Sequence, residues 1–408
     1  MTENAATAAG SATAGPAGLP RIVLNPREEG RIVRGHRWVF SNEIGRTDGE
    51  PAPGAVVEVV RQDNRLVGIG CYNPHSLIAV RMLTDKREPI DRGFFVARLR
   101  HALILRKRLY PDLESFRLAH GESDDLPGLI VDKYEDCLVL QTLCLGIDHM
   151  KETICDALEE VFHPRCIVER NDSNLREREG LPMQSGVLRG EAPPAVTIRE
   201  ADLRFEVDLL GGQKTGFYFD QRENRIFMRR FVPGARVLDA YCHVGGFALH
   251  AVKGGAGAVL GLDVASEAIE RARRNALLNE LEGRCQFETL EAGAAMESLH
   301  AGNEKFDVII LDPPSFTRTK KNVPAAKKGY EEINRKAVRL LKRGGILATA
   351  SCSFHITDET FLACIQEAAF KTNRVLRLLE WRSQAPDHPI LPSMPETRYL
   401  KFGVFQVD

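Results

Sequence analysis

Phe306-Asp307-Val308-Ile309-Ile310-Leu311-Asp312-Pro313-Pro314 decides the architecture. A nearly continuous apolar run that stops at an acid and two prolines reads as a strand covered on both faces and ended by a stiff turn. Gly345-Ile346-Leu347-Ala348-Thr349-Ala350 repeats the form and stops at Ser351-Cys352-Ser353. Arg236-Val237-Leu238-Asp239 and Ala258-Val259-Leu260-Gly261-Leu262-Asp263 precede them as two more such runs. Helical patterns over residues 265–279 and 330–342 lie between; in the first, Ala268, Ile269, Ala272, Ala276 and Leu277 form the apolar side. Strand–helix alternation over residues 201–408 predicts an α/β fold with a doubly wound, mostly parallel sheet.

The N-terminal half has other periods. Residues 21–88 carry short β-branched runs, Arg21-Ile22-Val23-Leu24, Ala55 to Val60, Leu66 to Gly70 and Ile78 to Leu83, with an Asp63-Asn64 hairpin signal, and predict a small β-barrel. Residues 89–118 predict a helical linker, with Phe94, Phe95, Leu99, Leu103 and Leu109 inward and Arg98, Arg100, Arg106, Lys107 and Arg108 on a basic side. That side is either a solvated face or a phosphate-contacting one. Residues 119–200 predict a central α+β unit: a hairpin from Gly128–Tyr134 to Cys137–Leu143, a helix over 148–162 and a strand at Cys166–Arg170. Residues 1–20, rich in Ala, Gly and Thr, predict a disordered tail.

Composition excludes several classes. The 408 residues are 43% hydrophobic and 27% charged, with no stretch near the ~20 apolar residues of a membrane span. A net charge of -1 means that any basic surface must be local. Nine cysteines, an odd number without metal spacing, fit a reduced, cytoplasmic compartment with no disulfide framework and no metal site. A secretory leader is not expected, because the N-terminus lacks a basic flank and an apolar core.

In an open α/β sheet, ligands bind beyond the carboxyl ends of the strands. Asp239-Ala240-Tyr241-Cys242-His243-Val244-Gly245-Gly246-Phe247 follows the first strand, and Gly245 and Gly246 would let the backbone approach a ligand as the next helix begins. Asp263, 24 residues after Asp239, suits ribose hydroxyls. The phosphate-cradling G-x-G-x-x-G is missing, so a ribose-bearing cofactor without phosphates, such as S-adenosylmethionine, fits better than a dinucleotide.

Asp312 and Cys352 at neighbouring strand ends suit covalent chemistry on a pyrimidine. Carbon-5 of cytosine or uracil is a poor nucleophile; a thiolate adding at carbon-6 makes the ring enamine-like, and a carboxylate beside it stabilises the charge that builds. Asp312 and water are both candidates for the base that then removes the carbon-5 proton. Cys364 reads as core, and Cys242 either lines the cofactor loop or packs beneath it.

Gln213-Lys214-Thr215-Gly216-Phe217-Tyr218-Phe219-Asp220-Gln221-Arg222-Glu223-Asn224-Arg225, the Gly-Gly-Phe loop, Asp312-Pro313-Pro314-Ser315-Phe316 and Ser351-Cys352-Ser353 together resemble the RlmI-like class I methyltransferases. These enzymes carry an N-terminal PUA domain and make 5-methylcytosine in large-subunit (23S) ribosomal RNA. The resemblance runs from residue 21 to the C-terminus, and Gly35-His36-Arg37-Trp38-Val39-Phe40 is similar to the opening of the PUA barrel. It implies a Rossmann-like catalytic domain over 201–408, a PUA domain over 21–88 and S-adenosylmethionine held by Lys214, Gln221, Asp239, Gly245, Gly246 and Asp263, with Asp312 and Pro313 beside them. Cys352 matches the nucleophile position. Relatives among RNA cytosine methyltransferases have a second cysteine where Ser315 stands here, and an acid near the adenine whose place Glu291 would take. Lys320, Lys321, Lys327 and Lys328 would hold phosphates around a flipped-out base, with Arg106 and Lys107 as further RNA contacts. A homodimer is left open. Two other functions stay in view: a nitrogen-directed RNA methyltransferase that needs no thiol, and a non-catalytic RNA-binding ribosome-assembly factor.

Overall fold

The computed structural model describes residues 18–212, 215–317 and 319–408. Of the expected tail, residues 1–17 lie outside the described residues; Pro20 does not belong to a tail, since its carbonyl accepts the Glu58 amide at 2.9 Å.

Residues 21–84 form a six-stranded sheet in the order Trp38–Phe40, Ile78–Thr84, Leu66–Tyr72, Val56–Val60, Arg21–Leu24, Ile44–Asp48. The Asp63-Asn64 turn joins two antiparallel strands, with Asn64 at φ 63° in the left-handed region. The helix Arg92–Leu109 follows, capped by the Asp91 carboxylate on the Phe94 amide. The next sheet has five strands, Gln184–Gly190, Cys166–Asn171, Cys137–Thr142, Leu129–Tyr134 and Phe116–His120, so it starts inside the stretch assigned to the linker. The helix expected over 148–162 is two helices, Leu145–His149 and Lys151–Phe162, separated at Met150. The hairpin Val196–Glu200 to Leu203–Val207 straddles the boundary expected at residue 200 and packs into the core of the C-terminal domain.

That C-terminal domain alternates β1 (Arg236–Ala240), α1 (Gly246–Lys253), β2 (Ala258–Asp263), α2 (Ser266–Leu278), β3 (Cys285–Thr289), α3 (Ala292–Ala301), β4 (Phe306–Leu311), α4 (Val323–Leu340), β5 (Leu341–Ser351), α5 (Asp358–Phe370), β6 (Leu376–Arg382) and β7 (Lys401–Val407). The sheet order is β3-β2-β1-β4-β5-β7-β6. Strands β1 to β5 run parallel, and β7 is antiparallel to both of its neighbours. Order reverses at β1, where β2 leads one way and β4 the other, so the crevice lies above β1 and β4.

Side-chain alternation fixes both faces of this sheet. Val237, Val308, Ile310 and Ala348 join one core with Leu249, Ile269 and Ala272 of α1 and α2. Leu238, Ile309, Leu311 and Leu347 join another with Met296, Ile333 and Phe361 of α3, α4 and α5. Burying both faces is why these strands read as unbroken apolar runs. The helix expected at 330–342 begins at Val323, with Pro324 in its first turn, and ends at Leu340; Lys327 and Lys328 are therefore helical.

Candidate active site

Asp239, Asp263, Asp312 and Cys352 stand at the carboxyl ends of β1, β2, β4 and β5. The Asp239 side chain is fully buried; one oxygen accepts the Ala248 amide at 2.8 Å, while Oδ1 has no hydrogen-bond partner among the described residues. Burial pushes its carboxyl up to about 8, opposed by the Ala248 amide and reinforced by the charges of Asp312 and Asp263. Three acids converging on one crevice, one of them with an orphaned oxygen, fit a ligand that brings its own cationic centres and hydrogen-bond donors. S-adenosylmethionine, with a sulfonium, an ammonium and ribose hydroxyls, is such a ligand.

The raised Asp239 group has a measurable consequence. A carboxyl whose value is higher in the folded state contributes stability at low pH that is lost as the pH rises from about 4 to about 8. Asp239→Asn keeps an acceptor for Ala248 and cannot ionise. In ligand-free protein its melting temperature should gain on the parent across that interval and hold a constant lead above it, as differential scanning fluorimetry would record.

The loop after β1 is held by Asp263. Its Oδ2 accepts the His243 amide at 2.9 Å and its Oδ1 the Ala265 amide at 3.0 Å, while Tyr241 and Cys242 donate to the Leu262 carbonyl. Tyr241 (φ 73°) and His243 (φ 49°) sit in the left-handed region, a strain of about 1–2 kcal/mol per residue that ligand sites often store. Sequence reasoning missed both, because neither is the glycine or asparagine that announces such a turn.

Gly245 and Gly246 are closely hemmed in by neighbouring side chains. A Cβ on Gly245 would stand 3.2 Å from the Phe287 ring and 3.3 Å from Ala272, and one on Gly246 would stand 3.0 Å from Arg225. Their small size is used by neighbouring protein; Gly245 also needs its φ of 84°. Glu291 caps α3, its two oxygens accepting the Gly293 and Ala294 amides at 2.8 and 2.6 Å. Gln221 is buried, its Oε1 accepting from Asn224 at 2.7 Å and its Nε2 without a partner among the described residues. Lys214 lies outside the described residues.

The Asp-Pro-Pro and Ser-Cys-Ser turns are tied together. Parallel pairing sets Leu311 opposite Thr349, and the register carries the two turns forward side by side. Ser353 Oγ is 2.9 Å from Ser315 Oγ and 2.8 Å from the Tyr330 hydroxyl. Cys352 is half-buried; the other eight cysteines, Cys242 and Cys364 included, are buried.

A residue absent from the sequence expectations completes this corner. Lys401, 5% exposed at the start of β7, donates to the Ser353 and Ile356 carbonyls at 2.8 Å each. Burial pushes its ammonium down to about 8, and the charges of Asp358 and Cys352 draw it back up. A lysine opening the otherwise apolar run Phe402-Gly403-Val404-Phe405 was the available signal.

The six expected RNA contacts divide. Lys320, Lys321, Lys327 and Lys328 are exposed and form no ion pair among the described residues. Arg106 is not available to a phosphate: it is fully buried, with Nη1 and Nη2 at 2.5 and 2.7 Å from the Asp124 carboxylate and Nη2 at 2.7 Å from the Asp387 carbonyl. Lys107 is paired with the Glu114 carboxylate. Arg106 thus belongs to the packing of the linker helix, and Lys107 to an ion pair at its surface. Among the described residues there is no acid, histidine or cysteine cluster able to hold a metal, and no helix long and apolar enough to cross a membrane.

Comparison with known proteins bears on this geometry. Residues 22–85 match the model of a PUA-like domain, and residues 174–399 match that of the S-adenosylmethionine-dependent methyltransferases. Ribosomal RNA large subunit methyltransferase I of Salmonella arizonae is 38% identical over 387 residues, covering 94% of this chain and 96% of the relative. The protein of the same name from Salmonella typhi matches equally, at 38% with the same coverage. In fold, the crystal structure of SMU.776 complexed with SAH agrees with a TM-score of 0.83 at 20% identity, covering 95% of this chain and 99% of that one. A structure from Streptococcus mutans described as a SAM-dependent methyltransferase agrees at 0.82 and 19%, with the same coverage. With an acid-lined crevice at the strand reversal, a PUA-like module at the N-terminus and this likeness along nearly its whole length, the chain belongs to the RlmI-like family of S-adenosylmethionine-dependent methyltransferases.

Proposed function

We propose that the protein methylates carbon-5 of a cytosine in large-subunit ribosomal RNA, in the cytoplasm, through a covalent adduct with Cys352. One observation carries this: the single half-exposed cysteine of the chain lies in the Ser-Cys-Ser turn, which the Ser315–Ser353 hydrogen bond of 2.9 Å ties to the Asp-Pro-Pro turn at the carboxyl end of the sheet. The ribosomal RNA substrate is drawn from the relatives' names.

Bound in the crevice, S-adenosylmethionine supplies an electrophilic methyl group. The Cys352 thiolate adds to C6, forming an S–C6 bond and moving the ring electrons onto C5. C5 then takes the methyl group as the bond from methyl to the departing sulfur breaks. Asp312, or a water it orients, removes the C5 proton; the C5–C6 double bond re-forms, and the S–C6 bond breaks to return the thiolate. Ser315 stands where a second thiol would assist, but its hydroxyl is engaged with Ser353 and the Thr317 carbonyl at 2.9 Å each, so it positions the turn. The four lysines, without ion pairs among the described residues, suit the phosphates on either side of a flipped-out nucleotide.

The test is mass spectrometry of nucleosides from unmodified large-subunit ribosomal RNA treated with the protein, alongside the same RNA carrying 5-fluorocytosine. 5-Methylcytidine and a protein–RNA adduct that survives denaturation are expected, since fluorine cannot leave as a proton does. A methyl group on a ring or exocyclic nitrogen, with no adduct, would replace this proposal by nitrogen-directed transfer.

A further inference from the structure

We propose that the turn Ser353–Ile356 is a base-stacking wedge, and that Phe354 stacks on a nucleobase next to the target nucleotide. The inference rests on RNA being the substrate and assigns a positioning residue for it.

Phe354 is 51% exposed, although it stands two residues from the nucleophile, and its ring meets His355 edge-on, with centroids 5.2 Å apart at 71°. The turn that presents them is clamped at both ends. Ile356 donates its amide to the Ser353 carbonyl at 3.1 Å, and its side chain is fully buried. Lys401 spans the turn, bonding the carbonyls of Ser353 and Ile356, and the Ser353 hydroxyl is held by Ser315 and Tyr330. An exposed phenylalanine on a mobile loop can fold back onto the protein. Here the anchors lie at the ends of the turn, and the Phe354 ring stays exposed beside the half-buried His355 until something covers it.

The chemistry of that occupant follows from the neighbourhood. The turn is tied to the Asp-Pro-Pro loop, and that chain runs on into Lys320, Lys321, Lys327 and Lys328, which lack acidic partners among the described residues. An exposed aromatic ring and exposed lysines carried on two joined loops are the arrangement that receives a polyanion with flat bases. A cytosine swung toward Cys352 leaves its neighbour unstacked, and an aromatic ring at this position replaces the lost stack.

The test compares the full-length parent with Phe354→Ala, Phe354→Trp and Phe354→Leu. Filter binding and methyl-transfer kinetics use an unmodified large-subunit ribosomal RNA transcript, and calorimetry measures S-adenosylmethionine binding. Phe354→Ala should weaken transcript binding and raise the KM for it roughly 10- to 100-fold, the worth of one stacked base, with cofactor affinity and melting temperature unchanged. Phe354→Trp should restore binding; Phe354→Leu, apolar without a π face, should not. Transcript affinity within twofold of the parent in Phe354→Ala, or rescue by leucine equal to that by tryptophan, overturns the wedge. A parent that binds the transcript but transfers no methyl group overturns the proposed reaction instead, and the binding measurements still decide the wedge.

Discussion

Cys352→Ala should reduce methyl transfer to RNA by roughly 10³-fold or more, because without the sulfur carbon-5 has no route to becoming a nucleophile. On the proposed assignment, affinity for S-adenosylmethionine should stay within about twofold, since Asp239 and Asp263, proposed for the cofactor, lie at the ends of β1 and β2, and Cys352 at the end of β5. Transfer of tritium from labelled donor and isothermal calorimetry measure the two quantities. The adduct with 5-fluorocytosine RNA should vanish in the same variant. Cys364→Ala is the control: that thiol is buried among Phe361 and Ile365 and should affect stability alone. A Cys352→Ala protein with the parent's turnover would mean that the thiol plays no covalent part, and the chemistry would move to a nitrogen acceptor.

The parts of this site that could be read in the sequence share one property: the local chain reports the environment. β4 and β5 are covered by helices on both faces, so their apolar runs and the polar residues that end them stand out. β3 has one covered face and a solvent edge, so Cys285-Gln286-Phe287-Glu288-Thr289 alternates weakly and escapes notice. The first turns of α4, Val323-Pro324-Ala325-Ala326-Lys327-Lys328, carry a proline and two lysines that mimic a loop, although proline is at home where no amide partner exists. Arg106 belongs to a row of basic residues, and nothing local distinguishes it from Arg108. What buries it is Asp124, 18 residues away, and the carbonyl of Asp387, 281 residues away. Lys401 is hidden for the same reason, since the carbonyls that satisfy it are 48 and 45 residues distant. Gly245 and Gly246 are where the motif suggests, and the packing of Phe287 and Arg225 against them, which only the fold reveals, is a second reason for their small size.

Glu200→Ala should cost about 3–5 kcal/mol, the largest stability loss expected of any single substitution here. Glu200 ends the strand Val196–Glu200 and is fully buried. Its Oε1 accepts from Arg225 Nε at 2.6 Å, and its Oε2 accepts from Arg225 Nη2 at 2.7 Å and Arg222 Nε at 3.3 Å. His250 Nε2 lies 3.1 Å from Oε1, and burial pushes the His250 imidazole below its ordinary value. Arg222 also donates to the Ser115 carbonyl at 2.6 Å, and Arg225 lies against Gly246 at the start of α1, so this one carboxylate joins the five-stranded sheet's domain to the base of the cofactor loop. Removing it leaves the buried Arg225 guanidinium without its carboxylate and leaves Arg222 with Asp387, 3.6 Å away, as its remaining acidic partner. Burial alone would raise the Glu200 carboxyl, but Arg225 and His250 hold it well below its ordinary value of 4.5. A carboxyl lowered in this way contributes stability above pH 4.5 and loses it as the pH falls below that value. The gap in melting temperature between parent and Glu200→Ala should therefore be widest and constant from about pH 5.5 to 8, roughly 6–15 °C for the first transition, and should close as the pH drops below 4.5. Glu200→Gln should show the same closing gap with a smaller amplitude, because the amide oxygen keeps one acceptor for Arg225. A gap that stays constant down to pH 3.5 would mean that the loss comes from packing around the hairpin, with the carboxylate charge contributing nothing.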